Sequence, residues 1–174
     1  MDKIMIEVLT FPIKNDLLNI NALIPQIAKK PRLLSMAELK KIVDQKENCK
    51  IVVACASLGN EKPIVGMAVV TLTWIPTGGP IAMVEDVVVD ESWRGLGIGE
   101  MLNKKLIEIA RKAKAKHISL YTNKNRIAAN KMYAKLGYQK LEDINFYRIN
   151  FDFFKPSDPK KVAKALEKRV RRKV

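Results

Sequence analysis

Apolar and polar residues alternate through IMIEVLTF at 4–11, the period of a half-buried strand. From Asn15 to Lys29 the apolar positions move to 17, 20, 23, 24, 27 and 28, the spacing of one helix face, with Pro25 breaking its middle. Ser35 with Glu38 three residues later is a capping box and starts a second helix. KIVVACASL (50–58) and PIVGMAVVTLTW (63–74) are strands joined by the turn GNEK. IAMVEDVVV (81–89) is apolar on both faces, as a central strand is. Positions 98, 101, 102, 106, 109, 110 and 113 make one stripe, so a helix is expected from Ile98 to Ala115. HISLYT (117–122) is a short buried strand. Arg126 to Leu136 is helical, with Gly137 as its terminator. YQKLED reads as a short strand or turn, and NFYRINFDFF (145–154) as a last strand.

Two antiparallel hairpin units come first, then a strand-helix-strand crossover that makes strands 81–89 and 117–122 parallel. The fold class is α+β (mixed α/β): a single domain over 1–154 with a mixed, mostly antiparallel sheet of about 6–7 strands and helices on both faces.

A chain of 174 residues carries one full core and not two. No apolar run is long enough for a transmembrane segment, and the N-terminus lacks a signal-peptide cleavage pattern. Cys49 and Cys55 fall on one face of one strand, too far apart to bond, which fits a reducing, cytoplasmic setting. Net charge is +14, and residues 155–174 supply half of it. Within that tail SDP starts a helix with Ser157 or Asp158 as cap, and Val162, Leu166 and Val170 form a narrow apolar stripe. Such a basic tail suits an anionic partner such as nucleic acid or a lipid surface; a solvated helix or the seam of a homodimer explains the same pattern.

The stretch RGLGIG at 94–99 joins the strand to the helix. Dinucleotide binding needs GxGxxG and an acidic residue about twenty positions on; RKAKAKHISLYTNK offers none. GxxxxGK[ST] is absent, which removes a Walker loop. What remains is a helix N-terminus with free N–H groups, glycines that let several of them converge, and Arg94 as a permanent cation: a cradle for pyrophosphate.

RGLGIG resembles the R/Q-x-x-G-x-G/A motif of the GNAT superfamily of acetyl-CoA-dependent N-acetyltransferases. EDVVVDESW is similar to the strand of the same block, and NRIAANKMYAKLGY to the second coenzyme-facing block, in the right order. The resemblance implies acetyl-CoA as cosubstrate, no metal, and a V-shaped splay between the two parallel central strands. It implies a pyrophosphate loop of Arg94, Gly95, Leu96, Gly97, Ile98 and Gly99, and a backbone rail for the pantetheine arm at Val87, Val88 and Val89. It also implies Tyr133 as the acid that protonates the departing CoA thiolate, though its helix face makes a packing role the competing reading. In many relatives an asparagine about seven residues before that tyrosine contacts the cofactor; here the position is Arg126, suited to the ribose phosphate, with Asn125 beside it. Asn130, on the same helix as Tyr133, can reach the coenzyme; Asn125 can instead cap the helix.

Glu85 and Asp86 interrupt the apolar strand, and a carboxylate there is costly unless paired or hydrated at a cleft. Strict alternation puts Glu85 on the face of Val87 and Asp86 on that of Val88, and Glu85 is taken as the base or part of a water relay. His117 is the single histidine, so neither a zinc site nor a Ser-His-Asp triad is supported. The resemblance implies a primary amine as acceptor, on a protein or on a small molecule such as an amino sugar phosphate. The alternative function is a CoA-binding regulatory or nucleic-acid-associated module that keeps the fold without robust catalysis.

Overall fold

The computed structural model describes residues 3–149 and 155–169. Five strands lie side by side in chain order: β1 (Ile4–Val8), β2 (Cys49–Ala56), β3 (Ile64–Ile75), β4 (Gly79–Val89) and β5 (Ile118–Leu120). The first four are antiparallel, and β4 and β5 are parallel, as the crossover requires. The sheet therefore has five strands among the described residues, not six or seven. Residues 138–149 form no strand, and 150–154 lie outside the described residues. Alternation alone does not make a strand; it needs an edge to pair with. Leu141, Ile144, Tyr147 and Ile149 stay exposed, and Phe146 packs its ring on Tyr121, centroids 4.4 Å apart.

Helices α1 (Lys14–Leu23) and α2 (Met36–Val43) cover one face of the sheet, and α3 (Ile98–Lys112) covers the other. The first helix ends at Leu23, six residues before the expected end at Lys29. It tightens into a 3-10 turn, Ile24–Gln26, because Pro25 has no N–H to continue the ladder. The capping box forms as read: Glu38 N–H donates to Ser35 Oγ at 3.2 Å, and Ser35 N–H to Glu38 Oε2 at 2.8 Å. In α3 the buried stripe is Ile98, Leu102, Leu106 and Ala110, packed with Trp93, Val84 and Ala82. Cys49 and Cys55 are free buried thiols. Helix α4 (Ile127–Lys135) lies beside α3 and ends at Gly137, whose φ is +88°. No helix among the described residues is long and apolar enough to cross a membrane.

The basic tail forms α5 (Pro159–Glu167), capped by Asp158, which accepts the Lys160 N–H at 2.7 Å. Val162, Ala165 and Leu166 are its half-buried positions, and Lys160, Lys161, Lys164 and Lys168 are exposed. It packs along α1. Ser157 fastens its start, donating its N–H to Pro31 O at 2.9 Å and accepting the Leu33 N–H at 2.9 Å. At the far end Arg169 forms an ion pair with Glu91.

Candidate functional site

The centre of β4 holds a bulge. Val84 pairs with Val70 and Val87 with Ala68, so Glu85 and Asp86 together oppose the single residue Val69. A bulge shifts the phase of everything after it. Val84, Val87 and Val89 all pack with the α3-side core, while Val88 belongs to the α1–α2 side. Thr71 Oγ donates to Glu85 Oε1 at 3.1 Å, and Thr71 shares the α1–α2 face with Val69 and Met67. Glu85 and Val87 therefore sit on opposite faces, contrary to strict alternation.

The same shift decides which backbone groups are open. Ala82 N–H donates across to His117 O at 3.0 Å, so before the bulge the even positions face β5. Asp90 N–H donates to Val65 O at 2.9 Å, on the β3 side. Antiparallel residues alternate between facing the partner and facing away. After the bulge, Val88 thus faces β3, and Val87 and Val89 turn their N–H and C=O toward the other edge. The β5 ladder on that edge stops at Val84. Beyond that point the two parallel strands are splayed, and Val87 and Val89 line the gap. Of the three-residue rail, Val88 has its backbone groups engaged with β3.

At the mouth of the gap stands the glycine loop. Gly95 has φ +80° and Gly97 φ +76°, left-handed conformations that a side chain disfavours, and Gly97 caps α3. Gly99 has a different reason. A Cβ there would lie 3.3 Å from Met132 Sδ, so its hydrogen lets α4 approach α3 closely. Leu96 is partly buried and Ile98 fully so; they offer backbone N–H groups and use their side chains as anchors. The first bond within α3 runs from Met101 N–H to Gly97 O, which leaves the N–H groups of Ile98, Gly99 and Glu100 directed at the mouth. Glu100 would repel an anion there. Hydrogen bonds from Lys135 (2.7 Å) and Lys104 (2.9 Å) answer its charge and lower its pKa to about 2. Arg94 is exposed, with Nε donating to Val89 O at 3.1 Å and Nη2 to Gln26 Oε1 at 3.4 Å. It thereby occupies the Val89 carbonyl and leaves Val87 as the fully open part of the rail.

Tyr133 is half-buried on α4, its ring edge-on to Tyr138 with centroids 5.6 Å apart. Burial pushes its phenol above the usual value, against the opposing pull of the Arg126 charge. Burial, with Tyr133 adding, pushes Tyr138 up to about 12. Arg126 precedes α4 and donates to Ile27 O at 3.4 Å. Asn130 does not point its amide nitrogen outward. Nδ2 closes the turn before α4, donating to Asn123 O at 3.0 Å and Arg126 O at 2.9 Å. Asn125 is not the cap either: the helix cap is Arg126, and Asn125 N–H donates to Asn123 Oδ1 at 3.1 Å. Asn123 was not singled out in the sequence, although NKN is an Asx-turn pattern. Asp86 keeps contact with solvent, yet the protein crowds it enough that desolvation raises its pKa, and the neighbouring Glu85 charge adds to the rise.

A strand bulge carrying two carboxylates, a parallel ladder that stops at Val84 and a glycine-capped helix thus follow one another along residues 84–100. The family model described as "Acetyltransferase (GNAT) family" matches residues 19–138. The chain belongs to the GNAT acetyltransferase family. A search of the curated proteins finds no match. Among solved structures, a Trypanosoma brucei acetyltransferase is 27% identical, with a TM-score of 0.67 over 86% of this chain and 100% of its own. A transcriptional regulator from Bacillus halodurans is 27% identical, with a TM-score of 0.70 over 86% and 100%. An aminoglycoside N-acetyltransferase solved with CoA shares the fold at 18% identity, with a TM-score of 0.68 over 87% and 97%. The matched GNAT region runs from within α1 to the end of α4 and contains the bulge, the glycine loop and Tyr133.

Proposed function

We propose that this chain is an N-acetyltransferase that moves the acetyl group of acetyl-CoA to a primary amine by direct attack in a ternary complex. The observation that carries the reading is the open β4 edge at Val87 and Val89, ending at a helix N-terminus with glycines in left-handed conformations. An amide-bearing arm fits the edge, and a pyrophosphate fits the converging N–H groups. The remaining donors of Arg94 supply further charge there. A CoA thioester is one molecule with both parts. When bound it supplies an activated acetyl group.

The chain's own residues handle the protons. An alkylammonium has to lose a proton before its nitrogen can attack. The bulge carboxylates take it, with Glu85 as the base and Asp86, held above the usual carboxylate range, as its coupled neighbour. The new bond forms between the amine nitrogen and the acetyl carbon, and the carbon–sulfur bond breaks. Tyr133, kept protonated by burial, gives its proton to the CoA sulfur and takes up the second proton that the acylated nitrogen sheds, which restores the phenol. Arg126 serves the ribose phosphate from the start of α4. Free buried thiols fit a cytoplasmic, reducing setting, and the outward lysines of α5 suit an anionic partner.

The test is release of free CoA thiol from acetyl-CoA with a panel of amines: amino sugars and their phosphates, aminoglycosides, and peptide amines. Thiol release that depends on at least one amine is the expected result. Acetyl-CoA binding with no amine acetylated would favour the alternative, a CoA-binding module without chemistry.

A further inference from the structure

Gln26 follows Pro25 in the 3-10 turn after α1, half-buried and 68 residues in sequence from Arg94 at the start of the glycine loop. A glutamine side chain has two N–H donors and two acceptor lone pairs. All four are used here. Nε2 donates to Ala22 O at 3.2 Å and to Asp90 Oδ2 at 2.9 Å. Oε1 accepts the Glu91 N–H at 3.0 Å and Arg94 Nη2 at 3.4 Å. Three of the four partners belong to the segment that enters the loop, and the donors and acceptors fix which way round the amide sits.

Asp90 shows why that segment needs a brace. Asp90 is 2% exposed, and a buried charge without donors is expensive. Gln26 Nε2 serves one oxygen; the Ser92 N–H, at 2.9 Å, and hydroxyl serve the other. The Asp90 N–H is tied to β3 through Val65 O. Arg94 follows at once. With Nε on Val89 O and Nη2 on Gln26, its guanidinium is held in one plane, and three of its five N–H donors are left for an anion. An unbraced exposed arginine loses its rotamer freedom when it grips a phosphate; a braced one has lost it already.

We infer that Gln26 is a positioning residue for the phosphate end of the coenzyme, acting through Asp90 and Arg94 from the helix layer on the opposite side of the sheet from α3. The inference rests on the acetyl-CoA reading above. Its signature is phosphate dependence: the brace matters to acetyl-CoA and not to acetyl-pantetheine, which has the same arm and thioester and no phosphate.

The experiment measures affinity for acetyl-CoA by calorimetry and for acetyl-pantetheine by NMR titration. The variants are Gln26→Ala, Arg94→Ala and the double substitution, with Gln26→Met to keep side-chain length without the amide. Gln26→Ala and Gln26→Met are expected to weaken acetyl-CoA about threefold to tenfold, the range of one or two lost hydrogen bonds. Acetyl-pantetheine affinity is expected to stay at the wild-type value, and the double variant to bind acetyl-CoA no more weakly than Arg94→Ala alone. Equal losses for both ligands, additive losses in the double variant, or no loss would overturn the inference. So would a Gln26→Met chain that does not fold, since the amide would then be a folding element. Wild type that binds acetyl-CoA while Gln26→Ala is silent overturns this inference alone. Wild type that does not bind acetyl-CoA overturns the functional reading and this inference with it.

Discussion

Replacing Tyr133 by Phe is expected to lower kcat for acetyl transfer by about 10²–10⁴-fold, the usual worth of a positioned acid, with acetyl-CoA affinity nearly unchanged. The ring stays, and so does its edge-on contact with Tyr138, so packing survives the change. Only the hydroxyl is lost. Burial raises the phenol above its ordinary value, so it remains protonated through the neutral and mildly alkaline range. The rate should therefore rise with pH as the acceptor ammonium loses its proton, with no decline from Tyr133 below about pH 10. Steady-state kinetics with the best amine of the panel provide the check. An unchanged kcat would reduce Tyr133 to a packing residue.

The second large effect concerns stability. Trp93 is 0% exposed and packs with Ile98, Leu102 and Leu106 beneath the start of α3. Trp93→Ala removes the largest buried side chain and is expected to cost about 3–5 kcal/mol. For a chain of this size that lowers the melting temperature by roughly 6–20 °C. Trp93 ends the 3-10 turn Glu91–Trp93, two residues before Gly95, so the hole opens directly under the anion loop. On the proposed acetyl-CoA reading, the coenzyme should recover part of the loss in a thermal-shift assay by binding the folded chain alone. A melting temperature within about 2 °C of wild type would mean that the site collapses around the gap or that the tryptophan carries little of the core.

Local chemistry was legible in the sequence wherever it decided structure by itself. The Ser35–Glu38 box, the stripe at 98, 102, 106 and 110, and Gly137 as a terminator all depend on spacing within one turn or helix. The glycine loop was legible as a strand-to-helix junction with positive-φ positions, yet its three glycines divide into two with left-handed backbones and one that admits Met132. The bulge at Glu85–Asp86 was not legible. An apolar strand buried on both faces reads the same in either phase, and the extra residue shows only against its partner Val69. That one residue moved Glu85 to the face opposite Val87 and turned Val88 toward β3. The engagement of Asn130 Nδ2 was hidden for a related reason: an amide on a helix face looks free until the carbonyls of residues 123 and 126 are seen within its reach. Gln26 carried only a faint mark, one polar residue between Ile24 and Ile27.

The account stands or falls on where the coenzyme sits. Titrating the isotopically labelled chain with acetyl-CoA, while following every backbone amide by NMR, addresses that directly. The largest shifts are expected at the N–H groups of Leu96 to Glu100 and at Val87 and Val89, and Gly97→Val, which forces a β-branched residue to φ +76°, should abolish them. Shifts confined to other segments, or a Gly97→Val chain that binds as the wild type does, would contradict it.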